Sequence, residues 1–312
     1  MNTYEQNKAW KAINKFLPKE FQLTDANMPK EEFWEWKGNQ IHLDRYPNPD
    51  AKYRIFLHHG VGTNGRQLSI IFGHKMAALG YDVVAIDNLG YGMTEVNQKD
   101  ITYDDWVNLF VDFIRAETDR DPKKVILYGL SAGGMMAYHA AAIYKNVSGI
   151  IGMCFLNMRD LETLKTASIF RFVGQLAPLN LKILVGLSIK RLAIPMKWIG
   201  KMHTLVNDKK ALKIFLKDKN SSGASVQVQF MKTWQEYQPA LEPADFDICP
   251  ILLTQPAEDK WTPLRLSKIA LKDVKAPFTF KMLENGSHYP IEQPALNQLI
   301  QYANEFIKSL NK

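Results

Sequence analysis

Apolar residues recur along this chain in two rhythms, and the rhythms change at definable places. Between residues 4 and 17, Tyr4, Ala9, Trp10, Ile13, Phe16 and Leu17 fall at helical spacing, and Pro18 stops the pattern. Residues 32–36 and 40–46 then alternate apolar and polar positions, with Lys37-Gly38-Asn39 between them, which predicts a hairpin. Apolar runs at 54–57, 81–86, 124–128 and 149–155 predict buried strands. Helical patterns at 67–79, 103–117 and 135–144 lie between them. Such alternation argues for a parallel sheet covered on both faces. The rhythm breaks over residues 157–245, which carry amphipathic helical patterns and no clear strand. It resumes as a strand at 248–255, a helix at 264–271, a strand at 278–283 and a helix at 294–310. The break reads as an insertion between two strands of one sheet.

Composition narrows the class. The chain has 312 residues, 46% apolar and 23% charged, which suits a soluble α/β domain with an inserted subdomain. Its two cysteines, Cys154 and Cys249, read as reduced core residues rather than a disulfide framework. No C-x-x-C or H-x-x-x-H spacing points to a metal, so neither metal nor cofactor is expected. The first residues lack the apolar core of a signal peptide. The most membrane-like stretch, 179–195, is interrupted by Lys182, Lys190 and Arg191, and a cytoplasmic location is the default. The insertion holds fourteen Lys and Arg against seven Asp and Glu, which is the whole net charge of +7. That excess would draw anionic substrates or allow peripheral contact with a membrane surface. A solvated helical surface explains it more simply. Nucleic acid is not an expected partner, because no binding motif accompanies the charge.

The densest chemical signal is Gly129-Leu130-Ser131-Ala132-Gly133. It follows the 124–128 strand pattern and leads into a helical one. Glycines on either side let a sharp strand-to-helix turn close, so that the Ser131 hydroxyl projects outward. The turn also aims the Ala132 amide and a helix N-terminus at whatever binds there.

With the elbow placed, the order of elements resembles the α/β-hydrolase fold, and within it the serine hydrolases of the monoacylglycerol-lipase and lysophospholipase-like group. His58-His59-Gly60-Val61-Gly62, Asp87-Asn88-Leu89-Gly90-Tyr91-Gly92-Met93-Thr94, the elbow and the pair Asp259…His288 carry the resemblance. It implies a mostly parallel eight-stranded sheet flanked by helices, with a helical cap between strands 6 and 7. The core would be 1–156 and 246–312, and the cap 157–245. It implies Ser131 as nucleophile and His288, in Asn285-Gly286-Ser287-His288, as base, in the chain order serine, acid, histidine. Asp259 is the expected acid, and Pro263 matches the family spacing, with Glu258 as competitor. The backbone N–H groups of Val61 and Ala132 would form the oxyanion hole. His58 and His59 are expected to shape their loop, and Asp87 to brace its own. The glycines after Asp87 do not have dinucleotide-binding spacing.

The cap supplies Phe170, Phe172, Leu176, Leu184, Leu187, Ile194, Met196, Trp198, Ile199, Met202 and Leu205. Most are expected in its core. Met196 and Trp198, with Trp261 from the core, are candidate walls of an acyl pocket. The expected activity is cofactor-independent hydrolysis of a small ester with a hydrophobic acyl chain. A lactonase, an amidase or thioesterase on the same residues, and a non-catalytic binder of the same fold are the alternatives.

Overall fold

The computed structural model describes residues 2–186 and 189–311. Leu187, one of the expected cap residues, lies outside them. The first hairpin forms from β1 (Lys30–Trp36) and β2 (Asn39–Tyr46). Lys37 at φ 49° and Gly38 at φ 78° close it, the two positive values that a tight two-residue hairpin loop needs. β3 (Tyr53–His58), β4 (Asp82–Ile86), β5 (Lys124–Leu130) and β6 (Gly149–Met153) follow. The insertion holds β7 (Ala193–Pro195) and β8 (Ser225–Gln227), and the chain returns with β9 (Ile251–Pro256) and β10 (Phe278–Leu283).

Eight strands form one sheet in the order β1-β2-β4-β3-β5-β6-β9-β10. Pairing is antiparallel from β1 to β2 and β2 to β4, and parallel everywhere else. The expected mostly parallel sheet is therefore present, with the insertion between its sixth and seventh strands. Burial of β3 through β6 on both faces explains the apolar runs at their centres.

Helices flank the sheet and build much of the insertion. They are α1 (Lys8–Asn14), α2 (Gly65–Leu68), α3 (His74–Ala78), α4 (Tyr103–Arg120), α5 (Ala132–Tyr144), α6 (Leu161–Ala167), α7 (Arg171–Gly186), α8 (Lys209–Phe215), α9 (Val228–Glu236), α10 (Leu264–Ala270) and α11 (Ala295–Ser309). α4 begins at a reciprocal cap: Thr102 accepts from Asp105 N–H, and Asp105 accepts from Thr102 N–H.

Several boundaries depart from the periodicity for local reasons. α1 starts only at Lys8, because the Asn7 side chain caps it by accepting from Ala9 N–H. The helix expected at 67–79 is split by a π segment, Ser69–Gly73, between α2 and α3. β6 stops at Met153 because Cys154 turns left-handed at φ 70°. The strand expected from 248 starts at Ile251, one residue after Pro250, which has no N–H for the ladder.

The insertion also corrects the sequence reading. It is not purely helical, since β7 and β8 pair antiparallel. Nor do its apolar residues all face inward. Met196, Met202 and Leu205 join the same buried cluster as the sheet. Phe170, Phe172 and Leu176 are exposed.

Candidate active site

β5 delivers Ser131 at φ 59° and ψ −120°, a strained turn between the strand and α5. Backbone crowding explains the glycines. A Cβ on Gly129 would overlap the Gly133 carbonyl, one on Gly133 the His58 carbonyl, and one on Gly134 the Cys154 carbonyl. Ser131 N–H donates to the Met153 carbonyl at 2.7 Å, which pins the turn to the end of β6. The hydroxyl caps nothing in α5 and makes no hydrogen bond among the described residues. It borders a cavity of about 240 Å³.

The parallel strands β9 and β10 end on the same side as β5. Past β9, Asp259 sits in a ring of donors. Its Oδ1 accepts from Trp261 N–H at 2.9 Å and Thr262 N–H at 2.7 Å. Its Oδ2 lies 2.8 Å from His288 Nδ1, past β10. Burial alone would raise the Asp259 carboxyl, but His288 and Thr262 hold it down at about 2. Glu258, the competing acid, uses its backbone N–H on the Gly286 carbonyl and is exposed. The structure thus brings Asp259 and His288 into direct contact and leaves Glu258 outside. With Nδ1 turned to Asp259, Nε2 points to the other side of the ring and has no partner among the described residues. Trp261 lies against the imidazole, ring centroids 4.8 Å apart, and lines the cavity that Ser131 borders.

The β3 loop completes the wall. His59 Nε2 accepts from Asn88 N–H at 2.9 Å, so Nδ1 carries the proton and donates to the Gly60 carbonyl at 2.8 Å. Burial lowers the proton affinity of His58 and His59, which keeps both rings neutral. In a trans peptide the N–H opposes its C=O, so holding the Gly60 carbonyl turns Val61 N–H the other way. Gly60 packs against this region: a Cβ there would lie 3.0 Å from Ala132 N and 3.1 Å from Ser131 Cβ. Val61 lines the cavity with Ser131, and neither the Val61 nor the Ala132 N–H has an acceptor among the described residues. The two histidines therefore shape the loop, as expected. Asp87 braces its own loop by accepting from Gly65 N–H at 2.6 Å and Met93 N–H at 2.9 Å.

The cavity wall is apolar and comes largely from the insertion. Leu164, Val173, Leu181, Leu184, Ile194, Met196, Ile199, Val226 and Phe230 contribute, with Leu156 and Trp261 from the core. Met196 and Trp261 line this cavity. Trp198 does not: it is 65% exposed, because the short turn Met196–Trp198 points Met196 inward and Trp198 out. Three residues beside the site escaped the sequence reading. Cys154 donates to Asp259 Oδ2 at 3.2 Å, and the Thr262 hydroxyl donates to the same oxygen at 2.7 Å. Ser222 donates to the Gly62 carbonyl at 2.6 Å, tying the insertion to the Val61 loop. Only Thr262 carried a signal, its place between the acid and Pro263.

Two clusters could in principle hold a metal: Cys154 with Asp259 and His288, and Glu31 with His42 and Asp44. In both, the donor atoms are committed to protein partners. Cys154 and His288 both bond to Asp259, His42 contacts Glu31 at 2.8 Å, and Asp44 accepts from Arg66.

Residues 49–294 match the family described as serine aminopeptidase, S33. The chain belongs to that hydrolase family. The fold agrees with the monoacylglycerol-lipase-like group of the α/β-hydrolases. Monoglyceride lipase from Saccharomyces cerevisiae, solved as a soluble variant with a substrate analog, superposes with a TM-score of 0.74 at 14% identity, covering 94% of this chain and 98% of that one. The monoacylglycerol lipase of Paleococcus ferrophilus gives 0.66 at 16% identity, covering 86% and 99%. A thermostable carboxyl esterase from Bacillus coagulans, in complex with glycerol, gives 0.68 at 14% identity, covering 90% and 98%. No curated protein sequence matches the chain.

Proposed function

We propose that this protein hydrolyses carboxylic esters bearing a hydrophobic acyl chain, through Ser131, His288 and Asp259. Ser131 Oγ attacks the ester carbonyl while His288 Nε2 takes its proton. The Val61 and Ala132 N–H groups hold the oxyanion of the tetrahedral intermediate. His288 returns the proton to the departing alcohol as the ester C–O bond breaks. Water, activated by the same imidazole, then releases the acid from the acyl-enzyme. Asp259 keeps the proton on Nδ1 and stabilises the imidazolium. Residues 157–245 act as the cap that shapes the acyl site.

One observation carries this reading. An unpaired serine hydroxyl on a strained elbow borders an apolar cavity whose wall includes Trp261, and Trp261 packs on an imidazole anchored on a buried carboxylate. The cavity supports an aliphatic acyl chain, and the lipase and esterase neighbours support an ester as the bond cleaved. The test is labelling by a fluorophosphonate together with turnover of p-nitrophenyl esters of graded length. One label on Ser131, and kcat/KM rising with chain length, are expected. An unlabelled Ser131 in folded protein would remove the proposal. A long-chain lactone in the same assay separates lactonase from esterase activity.

We also propose that the cap makes peripheral contact with lipid. Phe172, Leu176, Leu179 and Ile183 form one exposed stripe along α7, while Val173, Ala177, Leu181 and Leu184 of the same helix line the cavity. No helix among the described residues is long and apolar enough to cross a membrane, so the stripe suits a surface position. The basic excess is partly spent within the protein. Lys190 and Arg191 share Asp100, an acid from outside the insertion, which offsets a single charge of that excess. Apolar contact through the stripe adds to the attraction of the remaining basic charge. Exchanging Leu179 and Ile183 for glutamate should reduce co-sedimentation with phosphatidylglycerol vesicles by about tenfold or more. Turnover of a short soluble ester should not change. Undiminished sedimentation would rule out this face.

A further inference from the structure

Asp259 Oδ2 serves more groups than the imidazole needs. Thr262 Oγ1 donates to it at 2.7 Å, Cys154 Sγ donates at 3.2 Å, and His288 Nδ1 lies at 2.8 Å. Thr262 Oγ1 is also 3.0 Å from His288 Nδ1. Three separations of nearly equal length make a near-equilateral triangle. The hydroxyl oxygen then sits about 55° off the Nδ1–Oδ2 line, too far aside to accept the ring N–H well. Its bond is therefore made to the carboxylate. All three side chains are buried, so no water replaces a lost donor cheaply.

We propose that Thr262, seconded by Cys154, is a positioning residue that shares Asp259 Oδ2 with His288 and thereby sets how firmly the imidazole holds its proton. The inference rests on the hydrolase reading above. Each extra donor draws charge from Oδ2 and weakens its pull on Nδ1–H, so the imidazolium gains less. The base then stays free at lower pH than it would beside an unshared carboxylate.

The surroundings leave few other influences on the ring. Among the described residues, Asp259 and Cys154 place ionisable atoms within 4.8 Å of a ring nitrogen. Burial, and then Asp259, raise the Cys154 thiol well above its usual range, so it remains an S–H donor at working pH. Trp261 packs against the imidazole at a tilt of 46°. From the cap side, the Leu205 carbonyl accepts Tyr289 N–H at 2.8 Å. On its own loop, Glu292 accepts from Ser287 N–H at 3.2 Å and from its hydroxyl at 3.0 Å, which fixes the backbone beside His288. Thr262 is tied to Asp259 through its backbone as well. Thr262→Val therefore removes the hydroxyl and leaves that backbone donor in place.

The experiment compares the intact protein with Thr262→Val, Thr262→Ser and Cys154→Ala. Two readouts are taken: the acid limb of the kcat/KM profile, and the titration midpoint of the His288 ring followed by NMR. Thr262→Val and Cys154→Ala should each move both upward by about half a pH unit or more, and Thr262→Ser should stay at the unsubstituted position. Unchanged or lowered midpoints in folded Thr262→Val overturn the inference. If that variant does not fold, Cys154→Ala decides by the same criterion. Fluorophosphonate labelling of the same samples keeps the two readings apart. An unlabelled Ser131 defeats the hydrolase assignment, whereas a labelled serine with an unmoved midpoint defeats only this one.

Discussion

Ser131→Ala should cut kcat/KM on p-nitrophenyl esters by about 10⁴–10⁶-fold while leaving the protein folded. The fold should survive because the lost hydroxyl caps no helix and has no partner among the described residues. The backbone strain at φ 59° is shared by serine and alanine, and the Ser131 N–H bond to Met153 remains. The chemistry should not survive, because alanine offers no nucleophile on the elbow, and Ser168, the other serine lining the cavity, stands apart from that turn. His288→Ala should cost a similar factor, and the double variant little more, since both residues serve one step. Asp259→Asn should cost about 10⁴-fold by favouring the wrong imidazole tautomer. Activity should rise with pH as His288 loses its proton. Asp259, held at about 2, keeps its charge across that rise. Its folded value lies below the usual carboxylate range. Its contribution to stability is thus present above that range and lost as pH falls toward 2. Steady-state kinetics with circular dichroism checks the set. A Ser131→Ala protein that kept a tenth of its activity would place the nucleophile elsewhere.

What the sequence made legible follows from the range of each signal. The elbow is local: Gly129, Gly133 and Gly134 are dictated by backbone atoms within a few ångströms, so their spacing survives in one dimension. The sheet was legible because β3 to β6 bury both faces, which calls for apolar runs at the strand centres such as 55–57 and 83–86. Asp259 over Glu258 was open until geometry turned one carboxylate toward His288 and the other to the surface. Cys154 and Ser222 had no signal, because their partners lie 105 and 160 residues away. The cap misled for a different reason. α7 is apolar on two faces, one toward the cavity and one toward the exterior. Periodicity marks apolar positions without saying what covers them, so a core is expected to take most of the cap's apolar residues, whereas Phe170, Phe172 and Leu176 are exposed. The pair β7 and β8 is three residues per strand, shorter than any alternation can reveal.

Asp87→Ala should cost about 3–5 kcal/mol of stability, the range for removing one partner of a buried ion pair. Asp87 is fully buried and serves several groups at once. The Tyr4 hydroxyl donates to it at 2.9 Å, Gly65 N–H at 2.6 Å and Met93 N–H at 2.9 Å. His42 Nδ1 lies 2.9 Å away in ion-pair contact. Burial alone would make His42 harder to protonate, but Asp87 and Glu31 raise it to about 10. Burial would likewise raise Asp87, yet His42 lowers it below the usual carboxylate range. The signs then differ for the two partners. The raised histidine contributes fully below its unfolded value of about 6.5, and that contribution is lost as pH climbs through about 10. The depressed aspartate contributes above about 4 and is lost as pH falls through its lowered folded value. The pair should therefore stabilise most between about pH 4 and 6.5. Thermal or urea unfolding across pH 3–10 checks this, with Asp87→Ala expected to flatten both limbs. A substituted protein as stable as the parent at pH 6 would show the network to be dispensable. Activity should decline too, below the unfolding temperature. Asp87 fixes Gly65 at the end of the loop that begins with His59, Gly60 and Val61, and Asn88, its neighbour, fixes the His59 ring. The buried charges at the N-terminal segment thus reach the proposed oxyanion donors through the hydrogen bonds at Gly65 and Asn88, which makes a distant tyrosine and histidine part of what holds the Val61 N–H in place.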